Sequence, residues 1–471
     1  MATLAPPPMF SSAASKAQYR TCIYLALLSL AAAYFLAWPI WRAQFLIEIW
    51  PTEGWNSYFQ DAAAAGLPIY PAADGLVSNN YPPLSFYAIG LVGKVLGLDN
   101  LFVGRAVSLI ALASIAIEIF LSVRVLVGGR AGAAIGALWY LAIMARNSTT
   151  YVGANDPQIA GEAIMGAGLV WFLLACRAGN SPTPALLLMV VAGFWKHNII
   201  AIPVAAILWL FISRNRYAFW ATIISAAACG IGIAACVVVF GPDFLPNLLA
   251  NRQYAWSNVL GNIGHLQWSA LALLIWAAWA VNDRTSKAAQ FTALHIGCGL
   301  FACILQWFGH GVSGNAEFDL ILALGIGVGV TFARIESSWL ARRIGARRSR
   351  DAMIAALLIR LIVSDRQETA LLVLSSEFRS SIYANQRNVQ NESAHVAAMS
   401  GDVACAIKVV CRLAGKPFVA DEFKLEELVA TGRATTAEVA SMLSARQISS
   451  FAVTVPTGPD TSFSRWWRRS Q

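Results

Sequence analysis

The sequence predicts an all-α polytopic membrane protein of about eleven transmembrane helices, followed by a small C-terminal extracytoplasmic α/β domain. Three observations carry that prediction. The 471 residues are 58% apolar and only 13% charged, roughly half the charged share of soluble globular domains. The charges are unevenly split, since residues 1–364 are about 10% charged and residues 365–471 about 21%. The basic residues stand in short clusters between long apolar runs, the pattern that membrane topology imposes.

An apolar run of about 20 residues crosses a bilayer core as a helix. Such runs lie near 21–40, 101–123, 131–148, 158–176, 183–195, 198–213, 217–240, 267–281, 288–309, 318–333 and 351–364. The first is followed by Pro39, Ile40, Trp41 and Arg42, not by a small-residue cleavage site, so it reads as an uncleaved anchor. The stretch 83–97 is apolar but short and carries Lys94, which suits an interfacial helix inside a long first outer loop, 41–100.

Orientation follows from the basic residues. Starting inside, the cytoplasmic loops collect 15 of them and the outer side only six, which puts segment 1–20 in the cytoplasm, 21–364 in the membrane and the tail 365–471 outside. A twelve-span arrangement with the N-terminus outside keeps most of this bias. Lipids are then the chain's neighbours. Net charge is +9, but with no sustained basic stripe or binding motif the chain is not a nucleic-acid partner. Six of the eight cysteines lie in apolar runs as small hydrophobes. Cys405 and Cys411, six apart, have a poor spacing for a disulfide on one helix and match no metal pattern.

The acids gather at the other face. Of 14 carboxylates before residue 365, nine fall at or near the outer side, and Asp156 does so in a short hairpin with little room for idle charge. The first outer loop is far longer than ordinary helix connections. It contains Trp50-Pro51-Thr52-Glu53-Gly54-Trp55-Asn56, a turn from Gly66 to Tyr70, and Asn79-Asn80-Tyr81-Pro82-Pro83. Later outer ends carry Asn155-Asp156-Pro157, Trp195-Lys196-His197-Asn198 and Gly309-His310-Gly311 with Asn315, Glu317 and Asp319. Carboxylates, a lysine, two histidines and several asparagines around one chamber suit chemistry on a phosphate-linked substrate, which needs a base for a hydroxyl and cations for a phosphate leaving group.

The order of these pieces resembles the bacterial GT-C superfamily of integral membrane glycosyltransferases, the group with protein O-mannosyltransferases and the lipid A aminoarabinose transferase. The likeness lies in the acid of the first outer loop, the Gly66 to Tyr70 turn, Tyr81-Pro82-Pro83, Arg105 opening the next span, Asn155-Asp156-Pro157 and Lys196 between two spans. It covers most of residues 20–335. In the tail, Ser400-Gly401-Asp402-Val403, the run Ala414 to Asp421 and Ser450-Phe451 are similar to the C-terminal extracytoplasmic segment of multispanning members. Alone, that tail reads as strands near 370–375, 417–420 and 450–455 and a helix near 435–446, either capping the chamber or hanging beside it.

The resemblance implies transfer of one sugar from a polyprenyl-phosphate donor to a hydroxyl acceptor on a glycan, lipid or protein, with inversion. It implies Glu53 as base, with Asp61 as substitute, and Asp156 positioning the acceptor. Their bland readings are a solvated loop carboxylate and a helix N-cap before Pro157. Lys196 fits a donor-phosphate contact and snorkelling to headgroups equally. Arg252, His197 and His310 are weaker phosphate candidates, and Tyr81, Asn155 and Asn315 complete the set. Some superfamily members use a divalent metal and others do not, which leaves one near Glu53 and Asp156 open. Glu118 and Glu162, within spans, read as interhelical contacts or an ion path. No P-loop, dinucleotide fingerprint or zinc spacing is present, which disfavours a cytoplasmic nucleotide-sugar donor. The rival class is a secondary transporter, or a flippase or binder of a lipid-linked glycan, without covalent chemistry; the missing internal repeat speaks against transport.

Overall fold

In the computed structural model of the chain, residues 12–250, 252–312, 314–363 and 366–451 are described. Each of the eleven apolar runs is helical. Helix α1 spans Ser12–Arg42, and the long loop after it carries α2 (Thr52–Ala65) and α3 (Leu84–Leu96). The bundle continues with α4 (Asn100–Val127), α5 (Arg130–Asn147), α6 (Pro157–Ala178), α7 (Thr183–Trp195), α8 (Ala201–Ile212) and α9 (Ala218–Phe240). After the short α10 (Phe244–Leu248) come α11 (Trp256–Asn262), α12 (Gln267–Ala280), α13 (Lys287–Trp307) and α14 (Phe318–Ala333). The short α15 (Trp339–Ile344) leads into α16 (Ala346–Ile362).

Among the described residues seven helices are long and apolar enough to cross a membrane by length and composition. With 13 and 12 residues, α7 and α8 reach only about 20 Å each, so the Lys196–Ile200 break between them sits at the tip of two short arms. Helix α14 is apolar all round and buried at the bundle centre, as that pattern requires. It meets α5 backbone to backbone. A Cβ on Gly136 would stand 2.4 Å from the Gly325 carbonyl oxygen, and one on Gly132 equally close to that of Gly329, the small-residue contact that lets membrane helices approach.

The bundle ends are distinct. Arg20 of α1 pairs with Asp351 of α16 at 3.1 Å at one end. At the other, Arg146 of α5 donates to the carbonyls of Leu361 and Val363 at 2.8 and 2.7 Å. Helix α16 therefore runs the length of the bundle and delivers the tail to the side that holds the long first loop.

The tail departs from its expected strands. Residues 368–374 form α17 (Glu368–Leu374), docked through Thr369, whose hydroxyl donates to the Tyr34 carbonyl at 2.8 Å. No strand forms at 417–420. The order is α18 (Ser376–Ala398), β1 (Val403–Cys405), α19 (Lys408–Leu413), α20 (Glu422–Ala430), α21 (Thr436–Ala445) and β2 (Ser449–Phe451). The sheet is one parallel pair, Val403 opposite Ser449 and Cys405 opposite Phe451; residues 452–455 of the third expected strand lie outside the described residues. The helix at 435–446 matches, started by a capping box from Thr435 and Glu438. Cys405 and Cys411 are disulfide-bonded, against their reading as unpaired. The reason is local: Cys405 ends a strand and Cys411 lies on the helix after a tight turn, so the one-helix spacing argument does not apply.

Candidate active site

A carboxylate out of water must be paired, and α2 shows the consequence. Glu53, in its first turn, is fully buried. Its Oε1 accepts from Arg105 Nε and the Asn155 amide, both at 2.8 Å, and its Oε2 from Arg105 Nη2 at 2.7 Å and the Ile49 amide at 2.6 Å. Arg105 also donates to the carbonyls of Ala43, Phe45 and Ile47. One turn on, Ser57 and Gln60 bond the Asn155 side chain at 2.8–3.0 Å. This knot binds the first loop to α4 and to the start of α6. Gly54 belongs to it, because a Cβ there would stand 2.6 Å from both Glu48 Oε1 and Lys408 Cβ.

Glu53 is thus placed inside the scaffold, and Asn155 with it. Asp61 is placed similarly. It accepts from Arg412 Nε at 2.6 Å and from Asn100 at 2.7 Å, while Arg412 also grips Asp99 at 2.9 and 3.0 Å. Asp61 therefore clamps the C-terminal unit to α2 and α4. Glu53 offers nothing to a divalent ion shared with Asp156, since two protein donors already reach each of its oxygens. Among the described residues no three His, Cys, Asp or Glu side chains gather as a metal set.

Beside the knot lies a cavity of about 330 Å³. The first loop supplies Trp50, Thr52, Trp55 and Tyr81, the helix ends supply Arg252 and His310, and the tail supplies Lys408, Asp421, Glu422, Phe423 and Glu426. The tail therefore caps the chamber. Two expected residues stand one side chain behind its wall. Asp156 caps α6 through Oδ1 on the Gln158 amide at 2.9 Å, while Oδ2 accepts from the Thr52 hydroxyl at 3.2 Å. Lys196 is 2% exposed, with Nζ 3.0 Å from the centroid of the Tyr81 ring, a cation–π contact.

Electrostatics set this wall apart from the knot. Burial pushes the Lys196 ammonium down to about 7, against the pull of Asp156. Burial raises Tyr81 well above its ordinary value, with Asp156 adding to it. In the cap, burial raises Asp421 and Glu422, and pushes Glu426 up to about 7 with help from Glu422. Arg252 lies over the Phe423 ring at 5.2 Å. His310 Nδ1 is 2.9 Å from Glu427 Oε1, and that bond raises the imidazole. Cations and hydrogen-bonding carboxylates thus face each other across one small space, a set able to hold a phosphate and order sugar hydroxyls.

Of the predicted residues, Tyr81, Arg252 and His310 line the cavity and Asp156 and Lys196 back it. His197 is exposed and Asn315 lies in the turn Gly314–Glu317, and neither lines it. Sequence reasoning missed Thr52 and the cap residues Lys408, Glu422, Phe423 and Glu426. A signal existed in the acids 421, 422, 426 and 427, dense in a tail of otherwise mixed charge.

No protein-family model matches the sequence, and no curated protein sequence does. Solved structures do resemble it. ArnT from Cupriavidus metallidurans bound to undecaprenyl phosphate superposes with a TM-score of 0.55 at 14% identity, covering 88% of each chain. The apo state of the same protein gives 0.55 at 13% identity over 97% of this chain and 92% of that one. At such identity the likeness concerns the fold. This chain is a multi-pass membrane protein with the fold of the GT-C glycosyltransferases.

Proposed function

We propose that the protein transfers a sugar from a polyprenyl-phosphate donor to a hydroxyl acceptor at the outer face of a bacterial cytoplasmic membrane. The observation that carries this reading is the small chamber at the loop side of the bundle, with Arg252 and His310 on one part of its lining, Lys196 buried behind Tyr81, and carboxylates around the rest. The ArnT structure of the same fold holds undecaprenyl phosphate, which supports the donor class. The charge bias of the loops supports the orientation. The Cys405–Cys411 disulfide supports it too, because disulfides persist in oxidising compartments.

In the proposed step the acceptor oxygen attacks the anomeric carbon as the bond from that carbon to the phosphate oxygen breaks. The bonding pair leaves with the phosphate, whose charge Arg252 and His310 stabilise from the chamber lining while Lys196 adds its positive charge from behind the Tyr81 ring. The acceptor's proton passes to Thr52 Oγ1, whose own proton moves to Asp156 Oδ2 along the existing hydrogen bond. Tyr81 holds the Lys196 ammonium in place, and cap acids such as Glu426 order acceptor hydroxyls. Glu53 serves by fixing the loop that carries Thr52.

The test is transfer of label from a polyprenyl-phosphate sugar to a membrane glycan extract by the purified protein. Asp156→Asn and Thr52→Val lower the rate together in this reading. Full activity in both removes the relay. No transfer by the wild type, with label crossing the membrane of a sealed vesicle, supports transport instead.

A further inference from the structure

At the end of the bundle away from the cap lies a second and larger cavity, about 780 Å³. Arg20 of α1, Arg130 opening α5, Arg334 closing α14, and Arg347 and Arg350 of α16 all line it, and no carboxylate does. The nearby acids are already engaged. Asp351 accepts from Arg20 and from the Tyr24 hydroxyl, and Glu336 takes Arg350 Nη2 at 3.1 Å. Arg350 Nε is buried without a partner, and Arg130, Arg334 and Arg347 make no ion pair among the described residues. Like charges gathered in a concavity repel each other unless an anion sits between them.

The arrangement differs from an ordinary inner-face charge bias, which scatters cations. Arg177, for example, spends its guanidinium on the Val125 carbonyl and Arg342 on Asn282. Here four separate elements converge on one space. The first turn of α5, uncapped by any side chain at Gly129, also faces it, adding free amide donors. Guanidinium groups match phosphate oxygens two by two, and basic pockets between membrane helices hold lipid phosphates. The volume exceeds what one free phosphate fills and leaves room for a glycerol-linked headgroup. We propose that this cavity binds the phosphate of an anionic lipid headgroup, with Arg334 and Arg347 as its principal unpaired cations.

The test uses the full-length protein in neutral detergent, with retained lipid counted by native mass spectrometry. Phosphatidylglycerol is retained in clear preference to phosphatidylcholine in this account. The double variant Arg334→Ala/Arg347→Ala weakens retention about 30-fold, the equivalent of roughly 1 kcal/mol per arginine. The control Arg284→Ala/Arg342→Ala, equal in charge and outside the cavity, leaves it unchanged. Millimolar inorganic phosphate that displaces the lipid shows that the site recognises the phosphate alone. Failure to displace it shows recognition of the whole headgroup, and either outcome supports the site. Equal retention of the two lipids, or equal loss in the two double variants, overturns it. If the double variant does not fold, Arg334→Gln alone carries the same comparison.

Discussion

Two charged regions sit side by side at the loop end of this bundle, and they differ in one respect. In the knot around Glu53, Arg105 and Asn155, protein donors reach every Glu53 oxygen and the Asn155 side chain is held by Ser57 and Gln60. In the wall around Lys196, Tyr81 and Asp156, a buried ammonium rests on a ring face, and two neighbouring cations, Arg252 and His310, face open space. A membrane protein keeps few charges because each is expensive to bury. Those whose hydrogen-bonding capacity is filled hold the scaffold, and those left with capacity beside the open chamber are the ones we assign to the chemistry.

Breaking each side in turn sharpens the contrast. The largest effect belongs to the knot. Glu53→Gln leaves Arg105 buried without its counter-charge and costs about 3–5 kcal/mol of stability, read as a lower thermal midpoint in detergent. Next comes the wall: Lys196→Met lowers sugar transfer by roughly 10²–10³ and leaves the thermal midpoint where it was, because a buried charge has been removed and no salt bridge lost. Third, Cys405→Ser/Cys411→Ser opens a short loop and costs the cap about 2 kcal/mol, seen as faster proteolysis of residues beyond 365.

The smallest effect is the pH response of the wall. Lys196 is pushed down to about 7 in the free protein, so the ammonium form that in our reading favours the phosphate is full below that value and lost above it. Donor kcat/KM then falls as pH rises through about 7, by up to tenfold per unit. In Lys196→Arg that decline disappears, since a guanidinium keeps its proton.

Much of this was legible in advance, for physical reasons. Apolar length marks membrane helices, so all eleven runs are helical, and Asn155-Asp156-Pro157 spelled the cap of α6 from local rules alone. What a charge pairs with is a long-range fact. Glu53 and Arg105 stand 52 residues apart, and Asp61 and Arg412 stand 351 apart. Each was visible singly, yet nothing local told a base from a strut. A finer signal was available on α2, where Glu53, Ser57 and Gln60 recur at helical spacing as a polar stripe on a buried helix. The tail misled for the same reason. Residues 370–375 look like a strand but pack as a helix against α1, and the true strand pair joins residues 46 apart.

The most direct test of the contrast is the transfer rate per folded molecule, with folded protein counted by size exclusion in the same sample. Glu53→Gln is predicted to lower the folded fraction yet keep that rate within about threefold of wild type, whereas Lys196→Met keeps the folded fraction and loses the rate by roughly 10²–10³. A Glu53→Gln protein that folds fully and transfers nothing would contradict the account, because the filled carboxylate would then be the reacting one.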